Sequence, residues 1–175
     1  PGVPHEMRHL METEVLPLLR QRFGLTGVIK SRVLRTCGIG ESAVDARIDD
    51  LMQLSNPTVG TRAHPGQTDV VITAKADSAA EADALIAPVE QELRQRLGIY
   101  VFGVDQETLS DVLTVLLAAR GLRLSVAETT TRGELAKALS SAHEGAKALA
   151  GAVMLPNAEA ARQVLDIGGV VEMQG

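Results

Sequence analysis

The sequence is poor in aromatic residues and in cysteine. Its 175 residues include no Trp, one Tyr and two Phe, so the core must be aliphatic, and we do not expect the stacking platforms that bind single-stranded nucleic acid. Cys37 is the only cysteine, which excludes a disulfide within the chain and indicates a reducing compartment, the cytoplasm. No apolar run approaches the roughly 20 residues that a membrane helix needs, and we expect no signal peptide.

Charge and overall composition describe a folded chain without an affinity for polyanions. Hydrophobic residues make up 45% of the sequence and charged residues 22%, a balance typical of globular proteins. The net charge of −5 does not attract phosphate backbones, so nucleic acid is not an expected partner. Because the chain begins at Pro1 rather than at Met, we expect that it was cut from a longer protein.

A first α/β module is predicted between residues 28 and 103. Before it, residues 5 to 22 carry an apolar stripe at spacings of three and four, which predicts a helix. Strand, capping and turn signals then alternate along the chain. They predict a strand over 28–37, a helix capped by Ser42 and Asp45, strands over 58–63 and 68–75, a helix capped by Ser78 and Glu81, and a strand over 99–102. The predicted order is β-α-β-β-α-β, with the helices on one face.

A second module is predicted from a separate alternation of helices and strands. It comprises a helix capped by Thr108 and Asp111, a strand over 122–127, a helix capped by Thr131 and Glu134, a strand over 151–155 and a helix capped by Asn157. Alternating helices and strands indicate a parallel sheet. Two strands are too few to bury two helical layers, so we expect a partial three-layer α/β domain.

Two motifs resemble ligand sites but fit them poorly. His5-Glu6-Met7-Arg8-His9 has the HExxH spacing of zinc proteases. In the metzincin class of zinc proteases this motif continues with a Gly and a third His ligand. Glu12 and Val15 occupy those two positions here, so we expect no metal. Gly38-Ile39-Gly40-Glu41-Ser42-Ala43 fits the dinucleotide fingerprint, yet the next strand, beginning at residue 58, offers no acidic residue to hold a ribose. We interpret it as a turn into a helix and expect no cofactor.

Contacts with nucleic acid are weakly supported by the residues. Gly24-Leu25-Thr26-Gly27 mimics the GxxG loop of KH domains, but it joins a helix to a strand rather than two helices. Lys30 and Arg32 fall on one face of the first strand and Arg35 on the other. Such a face can contact phosphate, although the solvated side of a sheet is the simpler interpretation.

The most informative segment is the loop from Glu128 to Gly133, between a strand and a helix. A helix N-terminus offers free N–H groups and a positive partial charge, which suit a phosphate or a developing oxyanion. Thr129 or Thr130 is a candidate nucleophile if a base lies nearby. Glu128, Thr130, Thr131 and Gly133 are candidate substrate-binding residues. Three threonines before a helix are also typical of a capping loop, and both interpretations stay open.

Three stretches resemble the CinA (competence/damage-inducible) family in the family's order. Pro1-Gly2-Val3-Pro4 with Glu6-Met7 is similar to the PGVPxEM turn that closes its first, molybdopterin-binding-like domain. Ser31–Arg35 with Gly38–Ser42 is similar to its central KH-like domain, and Ala127-Glu128 to the entry of its C-terminal domain. The resemblance implies the tail of the first domain over 1–27, a KH-like βαββαβ domain over 28–103 and a partial deamidase-like domain over 104–175.

The resemblance implies a role in pyridine-nucleotide metabolism. The family's first domain resembles an ADP-ribose pyrophosphatase and its last a nicotinamide-mononucleotide deamidase. Nicotinamide mononucleotide and ADP-ribose are therefore the implied ligands of the full-length parent.

Departures from the family's loop predict that deamidase activity is lost. The family reads A-E-S-C-T-G-G where this chain has Ala127–Gly133, with Thr129 in place of the serine and Arg132 in place of the first glycine. The methyl group of Thr129 crowds an attacking oxygen, and Arg132 adds a side chain where backbone approaches substrate. We therefore expect a noncatalytic chain. The alternatives are an active amidohydrolase that uses Thr129 and a KH-like nucleic-acid module linked to competence.

Self-association is the first testable expectation. An incomplete sheet leaves strand edges and apolar helix faces to be covered, so we predict a homodimer formed through the second module. Sedimentation velocity at micromolar concentration should show a species with twice the mass of the chain. A single monomer boundary would contradict the prediction.

Overall fold

The computed structural model describes residues 2–24 and 27–165. The chain divides into two compact units, with the boundary between Asp105 and Gln106. Each unit is described by itself. Pro1, two residues of the Gly24–Gly27 loop and residues 166–175 lie outside the described residues, and the predicted domain limits stay a prediction.

An exposed helical segment opens the first unit. Helix α1 (Pro4–Leu10) runs through a π-helical turn (Met11–Val15) into helix α2 (Leu16–Phe23), which confirms the helix predicted from the apolar stripe. Pro4 lies in the first turn, where its missing N–H costs no hydrogen bond. Gly24 ends α2 with a positive φ of 58°, a conformation that glycine adopts without steric cost. No residue of the three helical pieces is buried.

The body of the first unit is one antiparallel sheet. Its elements are β1 (Val28–Cys37), α3 (Glu41–Met52), β2 (Thr58–His64), β3 (Gln67–Ala76), α4 (Ala79–Leu97) and β4 (Val101–Val104). The strands lie in the order β2-β3-β1-β4. Strand β3 pairs with a long strand on each side. Its pairing with β1 runs from Val28↔Ala76 to Cys37↔Gln67. Its pairing with β2 runs from Thr58↔Thr73 to His64↔Gln67. The predicted mixed α/β class and the β-α-β-β-α-β order are confirmed.

An aliphatic core joins the two long helices to one face of this sheet. Alternate strand residues point inward because successive side chains in a strand lie on opposite faces. The fully buried members include Leu34, Val70 and Ile72 from the strands, Val44 and Ile48 from α3, and Ala82, Leu93 and Leu97 from α4. The partly buried Leu51 of α3 and Leu85 and Val89 of α4 pack against this core.

Two local predictions in the first unit are wrong. Residues 98–100 form a 3₁₀ turn rather than the start of a strand, and β4 begins only at Val101; Gly98, with φ of 54°, turns the chain there. Ser42 does not cap α3, because Gly40 is the residue at the N-cap. Asp45 instead accepts a hydrogen bond from the hydroxyl of Thr61 on β2, at 2.9 Å. The side chain of Asp45 thus bonds to a neighbouring strand, whereas the capping motif would have used it at the start of its own helix.

The only tyrosine of the chain lies beside α3. The Cζ atom of Arg47 lies 5.0 Å from the centroid of the Tyr100 ring, within the range of a cation–π contact. This contact links the 3₁₀ turn to the outer side of α3.

Asp105 fixes the end of the first unit to β1. Its carboxylate accepts a hydrogen bond from the N–H of Val33 at 3.0 Å and forms an ion pair with Arg32. Its own N–H donates to the carbonyl of Val33 at 2.8 Å, and its carbonyl accepts from Nε of Arg35 at 2.7 Å. The residue adopts a φ of 51°, and these bonds offset the cost of that conformation.

The second unit alternates helices and strands. Its elements are α5 (Leu109–Ala119), β5 (Leu124–Glu128), α6 (Glu134–Ser141), α7 (Gly145–Ala148), β6 (Leu149–Met154) and α8 (Ala158–Leu165). The two strands pair in parallel, as predicted, and the Thr108–Asp111 capping box is present with both of its hydrogen bonds. The short helix α7 was not predicted. At Gly145 a Cβ would lie 2.3 Å from the carbonyl oxygen of Leu139, so only glycine fits there.

Burial is sparse among the described residues of the second unit. Leu139, Ala148 and Leu155 are its buried hydrophobic side chains. Large apolar side chains are exposed on α5, α6, β6 and α8, among them Leu109, Leu113, Leu116, Leu135, Met154 and Val164. These surfaces are consistent with the predicted self-association, which stays a prediction. No helix of the described chain is long and apolar enough to cross a membrane.

The aliphatic core sets the stability of the first unit. Ile48 is fully buried, and Ile48→Ala should lower the free energy of unfolding by about 2–5 kcal/mol, because the lost packing leaves a cavity. Ile99, which is 94% exposed, provides the matched control, and Ile99→Ala should change little. Urea unfolding followed by circular dichroism measures both. Equal effects of the two variants would contradict this account of the core.

Candidate functional site

The loop predicted to carry function lies at the carboxyl edge of the parallel strands. Strand β5 ends at Glu128, which is in register with Met154 at the end of β6. Helix α6 begins six residues later, at Glu134. In parallel α/β sheets ligands bind outside the carboxyl ends of the strands. The segment Glu128–Gly133 therefore lies where such a fold places its chemistry.

The carboxylate of Glu128 accepts hydrogen bonds from this loop and from the first turn of α6. The side chain is 3% exposed. Its Oε2 atom accepts hydrogen bonds from the Thr131 hydroxyl at 2.6 Å and from the amides of Gly133 and Leu135 at 3.0 and 3.1 Å. Its Oε1 atom accepts from the amide of Ala136 at 2.8 Å. The carboxylate thus satisfies amides that a helix N-terminus leaves without partners, and its negative charge lies at the positive end of the helix dipole.

These hydrogen bonds shift the titration of Glu128. The Thr131 hydroxyl makes the largest contribution to lowering the pKa of the Glu128 carboxyl below its ordinary value, and the amides of the first turn of α6 add to it. Burial acts in the opposite direction but does not prevail. The four hydrogen bonds of the carboxylate all come from the loop and from the first turn of α6, so its observed role is to fix the loop to the helix. Its predicted contact with substrate stays a prediction.

The predicted capping box of Thr131 and Glu134 is wrong. The N-cap residue of α6 is Gly133, with φ of 92°, and no side chain of the N-cap closes the helix. Thr131 donates its hydroxyl to Glu128 instead. A Cβ on Gly133 would lie 2.8 Å from Sδ of Met154, so both conformation and space favour glycine. The cap is supplied across the loop, by a residue that a search for local capping motifs does not reach.

Neither candidate nucleophile is hydrogen-bonded to a base among the described residues. Thr129 is partly buried and Thr130 is exposed. Neither hydroxyl forms a hydrogen bond with any of residues 2–24 or 27–165. His143, the only histidine of the second unit, donates its backbone N–H to Asp111 at 3.0 Å and forms no hydrogen bond with Thr129 or Thr130. The structure therefore brings together Glu128, Thr131 and Gly133, whereas neither Thr129 nor Thr130 is hydrogen-bonded to a proton acceptor within residues 2–24 and 27–165.

Arg132 carries the backbone conformation expected of the glycine that it replaces in the resemblance. Its φ is 52°, a left-handed conformation that costs a non-glycine residue about 1 kcal/mol. The side chain is exposed and forms no ion pair within the part of the chain that the structure describes. The substitution therefore places in the loop an exposed guanidinium group that has no partner among the described residues.

The remaining motifs of the sequence do not form a site in the part of the chain that the structure describes. The two histidines of the HExxH segment lie on α1, and no group of metal-ligating side chains occurs among the described residues. Gly38, with φ of 71°, and Gly40 form the turn into α3, as interpreted from the sequence. The second and third residues of the Gly24–Gly27 loop lie outside the described residues.

The three cations of β1 are each paired with a carboxylate. Lys30 pairs with Asp83 at 2.6 Å, and Arg35 pairs with Asp69 at 3.0 Å. Arg32 pairs with Glu90 at 3.2 Å and with Asp105. Ion pairs of this kind reduce the positive potential that a phosphate backbone would meet.

A buried ionic cluster around Asp69 was missed in the sequence. The side chain is 1% exposed, and its Oδ2 atom lies 3.0 Å from a guanidinium nitrogen of Arg35 and 3.0 Å from Nε2 of His64. His64 and the glycine turn at residues 38–40 line a cavity of about 370 Å³. The available signal was an aspartate at the start of a β-branched strand, opposite an arginine of the neighbouring strand.

Comparison with known proteins identifies the family. A model described as "Damage-inducible protein CinA KH domain" matches residues 31–103. A CinA-like protein of Parasynechococcus marenigrum is 41% identical over 167 residues, 95% of this chain and 40% of the relative. CinA-like proteins of Gloeobacter violaceus and Dictyoglomus thermophilum are 40% and 42% identical over 88% and 76% of this chain, and over 36% and 32% of their own lengths. The chain belongs to the CinA family.

The predicted CinA membership is thus confirmed, and the matched region includes the whole sheet of the first unit except the start of β1 and the last residue of β4. The alignment with the Parasynechococcus relative spans 95% of the chain and so extends into the second unit. The chain spans between about a third and two fifths of the length of these CinA relatives.

The lowered pKa of Glu128 predicts acid sensitivity of the loop. A depressed folded-state pKa means that Glu128 stabilises the fold above its unfolded-state value, near 4.5, and loses this contribution as the pH falls through the folded-state pKa. Wild type should therefore unfold at higher urea concentration than Glu128→Gln at pH 7, and this difference should shrink as the pH falls below about 4.5.

The Glu128→Gln variant keeps the shape of the side chain and removes its charge, so it isolates this one titration from those of other carboxylates. Urea midpoints at each pH, followed by circular dichroism, give the comparison. A wild-type advantage that is constant across the acid range would show that Glu128 does not titrate with a shifted pKa.

Proposed function

We propose that this CinA-family chain positions a nucleotide without hydrolysing it, in a protein of pyridine-nucleotide metabolism. The observation that carries the proposal concerns Thr129, whose hydroxyl lies in the loop at the carboxyl edge of the strands but forms no hydrogen bond with a described residue. A threonine hydroxyl is a weak nucleophile until an adjacent base removes its proton.

The start of α6 also offers little to a developing oxyanion. The amides of Gly133, Leu135 and Ala136 already donate to Glu128. Amide hydrolysis needs donors that are free to bind the oxyanion of the tetrahedral intermediate. The methyl group of Thr129 further restricts its side-chain rotamers. These features together support the noncatalytic alternative over an amidohydrolase that uses Thr129.

Binding makes smaller demands on the same loop. A ligand needs hydrogen-bonding groups held in place, and the four bonds of Glu128 hold this loop. The exposed Thr130 is the candidate contact that the proposal retains. Nicotinamide mononucleotide is the ligand that the resemblance implies for this loop, and ADP-ribose is the second nucleotide to be tested.

Ammonia release from nicotinamide mononucleotide tests the catalytic half of the proposal. Wild type, Thr129→Ala and Thr129→Ser should all remain at the background rate, because restoring a primary hydroxyl does not supply the missing base. A glutamine-hydrolysing enzyme run in parallel verifies the assay. Ammonia release by wild type that is lost in Thr129→Ala would establish an active amidohydrolase and overturn the proposal.

Isothermal titration of the same chain with nicotinamide mononucleotide and ADP-ribose tests the binding half. Saturable heat with at least one nucleotide, in the absence of turnover, is the expected result. If neither nucleotide binds at millimolar concentration, the nucleotide-positioning function is wrong.

A further inference from the structure

Strand β2 forms one edge of the sheet in the first unit. It pairs with β3 along its whole length, from Thr58 to His64, and no other strand among the described residues pairs with it. A strand with one unpaired side presents a row of N–H and C=O groups to which another chain can add. Arg62, Ala63 and His64 are exposed, so the end of this edge is open to solvent.

The two edges of this sheet differ in how they are protected from pairing. Proteins commonly protect an edge by making it short, by interrupting it with a bulge or by placing proline and lysine on it. The opposite edge, β4, has only four residues, and its pairing with β1 shifts register between Arg35 and Thr36. Strand β2 has seven residues and pairs without a register shift. Its sequence contains neither proline nor lysine, so β2 is the edge that favours an added strand.

The two faces of β2 limit how a second copy of the chain can pair with it. Val59 is buried in the core, and the hydroxyl of Thr61 bonds to Asp45 on α3, so the odd-numbered residues lie on the helix-covered face. The even-numbered residues lie on the other face, because side chains alternate along a strand. A two-fold axis perpendicular to the sheet keeps the helices of both copies on one side. An odd-numbered residue of one copy must then lie opposite an odd-numbered residue of the other.

Charge and strand length select one register from those that remain. An antiparallel pairing centred on Thr61 uses the whole of β2. Its opposed pairs are Thr58 with His64, Val59 with Ala63, Gly60 with Arg62, and Thr61 with itself. Centring the pairing on Arg62 would bring two arginines directly opposite each other, and like charges in that position destabilise a strand pair. Centring it on Gly60 would place Ala63 opposite Pro57, which has no N–H to donate.

We propose that two copies of this chain pair through β2, antiparallel and centred on Thr61, so that their sheets join into one. Gly60 leaves room for Arg62 of the other copy, because no heavy atom beyond its neighbours in sequence lies within 4 Å of the place that a Cβ on Gly60 would occupy. On the helix-covered face, Val59 contacts the exposed Ala63 of the other copy. This surface belongs to the first unit and differs from the second module, for which the sequence predicts a dimer.

Cysteine cross-linking tests the register directly. In a Cys37→Ser background, Thr61→Cys should form a disulfide between two copies under mild oxidation. Directly opposite residues of an antiparallel pair have Cα atoms about 4.5–5.5 Å apart, which a disulfide spans. Ala63→Cys is the matched control. Residue 63 is the more exposed of the two, but the proposed register places its two copies roughly 13 Å apart along the strands, so it should not cross-link. Non-reducing gel electrophoresis measures both variants.

Charge substitution at Gly60 tests the same register without cysteine. Gly60→Lys places a cation opposite Arg62 of the other copy at two symmetric positions, so it should weaken association about tenfold, and Gly60→Glu should strengthen it by a similar factor. Combining Gly60→Lys with Arg62→Glu restores opposite charges and should restore association. Ile29→Lys, at a position of β1 that is 71% exposed, adds the same charge away from the edge and should sediment like wild type. Sedimentation over a range of concentrations gives the comparison, and circular dichroism verifies that the variants are folded.

The inference requires both results, cross-linking at residue 61 but not at 63, and opposite effects of the two charges at Gly60. Cross-linking of Ala63→Cys as readily as Thr61→Cys would overturn the proposed register. If neither charge at Gly60 alters sedimentation, a second copy is not the partner of β2, and the inference is wrong; an extended peptide of another protein is then the occupant to test. None of these outcomes bears on nucleotide positioning, because that function does not involve the edge of β2.

Discussion

The second unit depends on one buried carboxylate. Glu128 closes the N-terminus of α6 from the end of a neighbouring strand, through bonds to a hydroxyl and to successive backbone amides. A carboxylate without such donors would not remain charged in a buried position, because desolvation disfavours the ionised form. The loop, the beginning of the helix and the charge of the side chain therefore stabilise one another. Few other side chains between residues 106 and 165 are buried, which makes the contribution of this network relatively large in the described part of the unit.

The first unit is held together differently. Its sheet and two long helices share a continuous aliphatic core, and the charged groups of β1 are paired at its edges. The match to the CinA KH domain covers this unit. A chain that combines a well-packed module with one whose order depends on a polar network is expected to unfold locally in the second unit before it unfolds globally.

The spacing of apolar residues predicts the elements of both units, because a helix or strand with one buried face must repeat apolar residues at its own period. The ten residues of β1 alternate between the core and the open face, and the predicted limits of the strand agree with the structure. The same holds for the order of elements and for the parallel pairing of β5 with β6. Helix α7 escaped prediction because its four residues, Gly145–Ala148, are too few to show a helical period.

Capping and site geometry were less predictable, because side chains distant in sequence compete for the same donors. The spacing of Ser42 and Asp45 is that of a capping motif, but Asp45 accepts a hydrogen bond from Thr61 on β2. Likewise, the hydroxyl of Thr131 donates to Glu128 and does not cap α6. The position of the functional loop followed from the strand-to-helix pattern, whereas the cluster of Asp69 with Arg35 and His64 required the register of three strands.

The contact between Tyr100 and Arg47 has a spectroscopic consequence. With no tryptophan in the chain and a single tyrosine, the ultraviolet emission of the protein originates at this one ring, against the outer side of α3. The natural fluorophore therefore reports on the first unit and is silent about the second, so emission and backbone dichroism together distinguish the melting of the two units without any label.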